Sequence, residues 1–408
     1  MNRNSQVVRA LKPAWSWLKD LKNEPRRHYG SFVSKKAMTD YRKVVLTSNM
    51  GLGYLCNPKY IGEALNRLYP GEFDLVLLVR NLQAYAPDYV RKVAYGTHEA
   101  QRELASARFW IDNCRDSKYV PKRSDQVYIQ SWHGYLGPKR IERDAEEHLS
   151  YLYVKNAKAD GLATDLMFAN NDLYERIFRE SFWYKGPIIR CGMPRNRDLV
   201  LGNPGARSKV HCSLGVPDDV GICLYAPTFR ADGSMIAYRF DYGRLLEALE
   251  RRFKRQFVFA YRLHPNIAAK PRPDFLRGYV DASSYPDAQE LLAGCDVCIT
   301  DYSSIIEDFM LTGQPGFVYA PDIDAYKDDR GFYYPLSERP FPISTDENGL
   351  IASVLSYDEK DHARRVQEFS ESVGLCDDGH GDEVIARLIH ELAEPGSTMA
   401  RAISKLNI

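Results

Sequence analysis

The chain has 408 residues, 44% of them hydrophobic and 27% charged, the make-up of a soluble globular protein long enough for two cores. Its formal net charge of +1 gives no global case for nucleic-acid binding. The charge is uneven: residues 1–45 carry eleven Lys or Arg against three acids, a local +8 that leaves −7 for the remainder.

Residues 7–22 place Val7, Val8, Leu11, Ala14, Trp15, Leu18 and Leu21 on one helical face. Arg9, Lys12, Ser16, Lys19 and Asp20 fall on the other. A basic amphipathic segment of this kind suits an anionic membrane surface. The alternative is a helix packed on its own domain, and Pro13 counts against one unbroken helix. Residues 1–42 are read as a separate basic segment.

From residue 43 a strand–helix rhythm begins. Strands are expected at 43-KVVLTS-48, 73-FDLVLLV-79, 109-FWID-112, 126-QVYIQSW-132, 161-GLAT-164 and 187-PIIRCG-192. Helices are expected at 58–68 and 98–108. The stretch 198–219 is rich in Gly, Pro and polar residues, with at most a short helix near 206–214, and reads as an interdomain linker. The rhythm restarts with 221-GICLYAP-227, 256-QFVFAYRLH-264, 278-GYVDAS-283, 295-CDVCITD-301 and 316-GFVYAP-321. Helices fall near 242–254, 286–294, 303–313, 359–373 and 382–394. The expected fold is α/β: two facing Rossmann-like domains with parallel sheets, over 43–200 and 221–395, a linker at 201–220 and a tail at 396–408. A ligand would lie between them, outside the carboxyl ends of the strands.

Eight cysteines are scattered along the chain. The C-x-x-C at Cys295 and Cys298 sits inside an apolar run with no partner pair, so buried thiols are expected rather than a zinc site. No metal motif appears, and no run approaches the length of a transmembrane helix. The N-terminus has charges where a secretion signal needs an apolar core, so a cytoplasmic location is expected.

Polar knots close several strands. His133-Gly134 follows the strand ending at Trp132, with Lys139 and Arg140 next. A histidine there can face a cleft as a general base, or simply satisfy a turn. Arg262 and His264 share one face of a strand that Pro265 stops, which suits an anion; Arg262 could instead pair with a carboxylate. Thr228 and Arg230 follow Pro227, and Arg195 and Asn196 end the first half. In 300-TDYSS-304, Asp301 or Ser303 can cap a helix. Ser303 and Ser304 add hydroxyls at a helix start, where phosphate binds readily. Asp308 lies one turn further on.

With these motifs in order, the chain resembles the CDP-glycerol glycerophosphotransferases, the teichoic acid primases and polymerases of Gram-positive bacteria and related capsule enzymes. The resemblance rests on 54-YLCNPKYIGEAL-65, 127-VYIQSWHG-134, 191-CGMPRN-196, 224-LYAPTFR-230, 262-RLHP-265, 300-TDYSSIIEDF-309 and 330-RGFYYP-335. It implies a GT-B type fold and attack of an acceptor hydroxyl on the β-phosphorus of CDP-glycerol, releasing CMP. It implies His133 and His264 as catalytic. Arg262, Thr228, Arg230, Asp301, Ser303, Ser304, Asp308 and Arg330 would lie at the donor, and Gly134, Tyr135, Lys139, Arg195 and Asn196 on the acceptor side. It further implies no cofactor beyond the donor, a lipid-linked saccharide or growing polymer as acceptor, and work at the inner face of the membrane. CDP-ribitol as donor, or a nucleotide-sugar glycosyltransferase, are the alternatives. The chain departs from the family pattern at Arg197, where an Asp is usual, and at Tyr135, where a Thr is usual. A bulky Tyr135 is expected to reshape the acceptor pocket.

Overall fold

A computed structural model describes residues 22–115, 119–228, 230, 238–263, 274–323 and 331–408. Residues 7–21 of the expected amphipathic segment, together with His264 and Arg330, lie outside the described residues.

Two parallel sheets organise the molecule. The first contains β1 (Asp40–Thr47), β2 (Asp74–Val79), β3 (Val90–Ala94), β4 (Ala107–Asp112) and β5 (Val127–Gln130), in the order β3-β2-β1-β4-β5. A short pair, β6 (Met167–Ala169) and β7 (Ile188–Arg190), continues it through a parallel bridge between Ile129 and Leu166. Strands such as DLVLLV and ARFWID are apolar along their length because helices cover both faces of the sheet. The second sheet contains β8 (Gly221–Tyr225), β9 (Phe257–Tyr261), β10 (Val280–Asp281), β11 (Val297–Thr300), β12 (Gly316–Tyr319) and β13 (Ile343–Ser344). Its order is β10-β9-β8-β11-β12-β13.

In each sheet the order reverses once, between β1 and β4 in the first and between β8 and β11 in the second. Diverging connections open a crevice at such a switch point, beyond the carboxyl ends of the strands. The loops after β1 and β4 and those after β8 and β11 therefore surround the crevices, and the polar knots at Thr228 and Asp301 fall on them.

Four expectations change. The stretch 161–164 closes the helix Tyr151–Ala163 rather than forming a strand, and the adjacent strand starts at Met167. The helix expected over 303–313 is only Ile305–Met310, followed by a turn. The linker is helical over Pro204–Leu214 and belongs to the second unit: its Val210 packs with Ile222, Leu224, Leu291 and Leu292. Asn203 caps that helix by accepting from the amides of Gly205 and Ala206, which the Gly/Pro-rich composition obscured.

The fourth change concerns the C-terminal boundary. The helix Gly381–Ala393 returns to the first unit, where Ile385, Leu388, Ile389 and Leu392 are buried with Ile61, Ala64 and Leu65. Each of these Ile and Leu side chains contributes about 1.5–3 kcal/mol on burial. Gly381 lies directly on the Gly192 carbonyl, where a Cβ would come within 1.8 Å, so only glycine allows the crossing. Arg197 donates to Asp382 at 3.2 Å and to Glu383 at 3.1 Å on the same helix, which explains an arginine where the family usually has an acid.

Candidate active site

His133 follows β5 at the mouth of the first unit. Trp132 just before it has φ +50°, a left-handed conformation that costs a non-glycine residue about 1–3 kcal/mol. Asn57, in the helix Cys56–Leu68, holds that conformation. Its side-chain amide donates to the carbonyls of Ser131 at 3.1 Å and Trp132 at 3.2 Å and to the Tyr135 hydroxyl at 3.0 Å. Its Oδ1 accepts from the Arg195 backbone amide at 3.1 Å. One buried amide thus ties three segments together.

The His133 Nδ1–H donates to the Asn113 carbonyl at 2.6 Å, so the ring's free lone pair is on Nε2. The ring is open to solvent, yet Trp132, Asn113, Cys114 and Arg195 surround it. Water solvates the imidazolium poorly there and the pKa falls below the usual value; the Asn113 bond opposes the shift and the Arg195 charge adds to it.

Ser304 of the second unit faces this loop. Its Oγ is 3.7 Å from where a Cβ on Gly134 would sit, and its Cβ is 3.1 Å from the corresponding point on Gly137. The W-H-G loop and the D-Y-S-S loop therefore meet, most closely at Gly137, where a side chain would crowd Ser304. Lys139 reinforces the junction: its backbone bridges to Phe332 and its ammonium lies 5.9 Å from the centre of the Tyr302 ring. Ser303 and Ser304 are both partly exposed. The Ser303 Oγ accepts from the Ile305 amide at 3.3 Å, while Ser304 makes no side-chain cap. With so short a helix behind them, a helix dipole adds little, and the two hydroxyls are the polar groups this loop offers.

Other expected site residues are engaged within the protein. Asp301 is fully buried; it accepts from the Thr228 amide at 2.8 Å and hydroxyl at 3.1 Å, and pairs with Arg230 at 2.7 Å. Arg230 also grips Asp322 with two bonds, at 2.6 and 2.9 Å. Asp301, Thr228 and Arg230, expected as donor ligands, bond to one another. Asp308, expected at a ribose or polyol hydroxyl, is buried between Arg195 at 2.6 Å and Gln289 at 2.9 Å. Asn196 is buried and donates to Asp377 at 2.8 Å. Arg262 donates to the carbonyls of Ala282 at 3.0 Å and Tyr285 at 2.7 Å rather than to a carboxylate, and burial lowers its pKa.

Tyr135 corrects the expectation of a reshaped pocket. It points into the core at 1% exposure, donates to the Ser131 carbonyl and lies under the Arg195 guanidinium. Asn57, Asn113 and Gln289 were missed in the sequence. Asn113 was within reach of the reasoning used for His133, since it is the first residue past the strand 109-FWID-112. Among the described residues, no cluster of His, Cys, Asp and Glu could hold a metal ion. All eight cysteines are free thiols.

Two facing parallel units with polar loops meeting at their switch points define a protein of the GT-B class. The fold matches a structure of the wall teichoic acid polymerase TagF soaked with CDPG, with a TM-score of 0.79 and 27% identity, covering 93% of this chain and 97% of that one. The family model described as CDP-glycerol:poly(glycerophosphate) glycerophosphotransferase matches residues 29–391, and the chain belongs to that family. It is 29% identical over 385 residues to the teichoic acid poly(glycerol phosphate) polymerase of Staphylococcus epidermidis, covering 91% of this chain and 53% of that protein. It is 35% identical over 294 residues to the teichoic acid ribitol-phosphate primase of Bacillus spizizenii, covering 68% and 73%. The chain spans about half the length of the poly(glycerol phosphate) polymerases of S. epidermidis and Bacillus subtilis that it matches.

Proposed function

We propose that the protein transfers glycerol phosphate from CDP-glycerol to a hydroxyl of a lipid-linked saccharide or growing teichoic acid or capsule-type polymer. The observation that carries this reading is the meeting of the His133 loop with Ser304 across the cleft. It supports a base on one loop working with phosphate-capable hydroxyls on the other, in a protein of this family.

His133 Nε2 takes the proton of the acceptor hydroxyl as its oxygen attacks the β-phosphorus. The bond from that phosphorus to the bridging oxygen breaks, and CMP leaves with the electron pair. Ser303 and Ser304 hold the phosphate by hydrogen bonds. Arg262, His264 and Arg330 offset the charge that develops on the pyrophosphate. Asp301, Thr228 and Arg230 shape the donor side, and Asp308 is held by Arg195 and Gln289. Gly134, Lys139, Arg195 and Asn196 border the acceptor side. No metal or cofactor is assigned to the reaction.

A location on the inner face of the membrane follows from the basic N-terminal segment and the lipid-linked acceptor. Among the described residues no helix is long and apolar enough to cross a membrane. Loss of binding to anionic vesicles on removal of residues 2–24 tests the segment; unchanged binding discards it.

The test of the reaction is product analysis. CMP released from CDP-glycerol with a lipid acceptor supports it, and UDP released from a UDP-sugar overturns it. His133→Ala should retain donor binding while turnover falls by about 10² or more. A second reading, CDP-ribitol as donor, draws on the 35% identity to the ribitol-phosphate primase. The same assay run with CDP-ribitol separates the two.

A further inference from the structure

We infer that Asn49 is a positioning residue: its side chain, locked to that of Asn113, holds the carbonyl that fixes the His133 ring. The inference rests on His133 as the base and adds how that base is kept in one orientation and one tautomer.

The lock grows out of the sheet. β1 and β4 are neighbours at the switch point, with Thr47 in register with Asp112. Two residues past Thr47 lies Asn49, and one past Asp112 lies Asn113. The Asn49 backbone amide donates to the Asn113 Oδ1 at 2.7 Å, and the Asn113 side-chain amide donates back to the Asn49 Oδ1 at 3.0 Å. Asn49 adopts φ +47° and Met50 φ +56°, a left-handed pair that asparagine tolerates better than most residues. On the other side of the carbonyl, the Cys114 amide donates to the Asp112 carboxylate at 2.9 Å, and the Asp112 carbonyl accepts from the Ser131 backbone amide at 2.7 Å and its hydroxyl at 3.1 Å. The Asn113 peptide is thus held on both sides, and its carbonyl has one place to be: 2.6 Å from His133 Nδ1.

The chemistry suits the task. A carbonyl orients the imidazole without adding charge, whereas a carboxylate in its place would favour the imidazolium. The ionisable groups around the ring are the Arg195 guanidinium on the His133 carbonyl, with Asp308 beyond it, the Cys114 thiol 3.8 Å from Nδ1, and Asp112 behind Cys114. Asn49 comes within 4.0 Å of that thiol, so a charge placed there acts on His133 at close range.

The test uses the full chain and two variants. Asn49→Ala removes the acceptor for the Asn113 side chain; kcat should fall about tenfold or more while the KM for CDP-glycerol stays. Asn49→Asp keeps the acceptor and adds a carboxylate. It should recover most of kcat while moving the acid limb of the pH profile to higher pH. Imidazole NMR, with the His133 signal assigned by its loss in His133→Gln, reads tautomer and titration directly. The Nδ1–H tautomer should dominate in the parent and Asn49→Asp, mix with the other in Asn49→Ala, and titrate higher in Asn49→Asp. An Asn49→Ala protein with an unchanged tautomer, or an Asn49→Asp protein with an unshifted titration, overturns the inference. If instead His133→Ala retains full turnover, the base reading fails while the NMR result still decides what Asn49 does.

Discussion

Arg195 of the first unit and Asp308 of the second form an ion pair at 2.6 Å, with both side chains 6–7% exposed. The same guanidinium donates to the His133 carbonyl at 2.7 Å. A single side chain therefore connects the base-bearing loop to the opposite unit. Lys59 and Asp287 make a second such link at 2.6 Å.

Arg195→Ala should cost about 3–5 kcal/mol, because Asp308 would be left buried and charged without its partner. Denaturant midpoints measure this. The double variant Arg195→Ala, Asp308→Ala should be closer to the parent than either single variant, since it removes both charges. A single-variant cost below about 1 kcal/mol would mean water already relieves the pair.

The pH profile follows from the lowered pKa of His133. The base acts when neutral, so protonation shuts it off, and a pKa below the usual histidine value moves that loss to lower pH. Activity should be level through neutrality and fall only in acid. An acid limb in kcat/KM centred at or above the usual histidine pKa of about 6.5 would contradict the reading.

Tyr135 should govern stability and not acceptor choice. Replacing it with the family's usual Thr removes a buried ring and should cost about 3–5 kcal/mol, as large-to-small core changes do. Tyr135→Phe should cost about 1 kcal/mol for the lost hydrogen bonds. Acceptor competition assays on the Phe variant should give the parent's preference; a switch of acceptor would restore Tyr135 to the pocket.

Glu63 offers a separate test in stability. Burial, with help from Asp287 and Asp198 and against the pull of Lys59, raises its pKa to about 7. A carboxyl raised in this way binds its proton more tightly in the folded state than in the unfolded state. Stability from this group is therefore full below the unfolded value of about 4.3 and is lost as pH rises through about 7. Glu63→Gln should flatten the decline in melting temperature across that window. An identical slope in the variant would show that other groups set it.

Much of the architecture was legible because buried parallel strands are short continuous apolar runs, and most of these were found with nearly correct ends. Val90–Ala94 escaped because its edge position leaves charged Arg91 and Lys92 facing solvent. The residues meeting at the cleft were legible at His133, Gly134 and Ser304, since polar residues at strand carboxyl ends mark a crevice whatever their partners. Which of them face a ligand and which face each other was not. Asp301, Arg230 and Asp308 have the chemistry of ligand groups, and only their partners from distant stretches, Thr228, Asp322 and Arg195, reveal that they are already satisfied. Sequence spacing carries no signal for such long-range pairing.

The return of the helix Gly381–Ala393 bears on how the protein is made. A ribosome finishes the first sheet almost two hundred residues before it supplies the helix that packs on Cys56–Leu68. Until then the core that Ile61, Ala64 and Leu65 share with Ile385, Leu388, Ile389 and Leu392 is incomplete, so the amino-terminal unit emerges as an unfinished body. A fragment ending near residue 200 should be poorly soluble on its own, and adding a peptide spanning 376–408 in trans should rescue it.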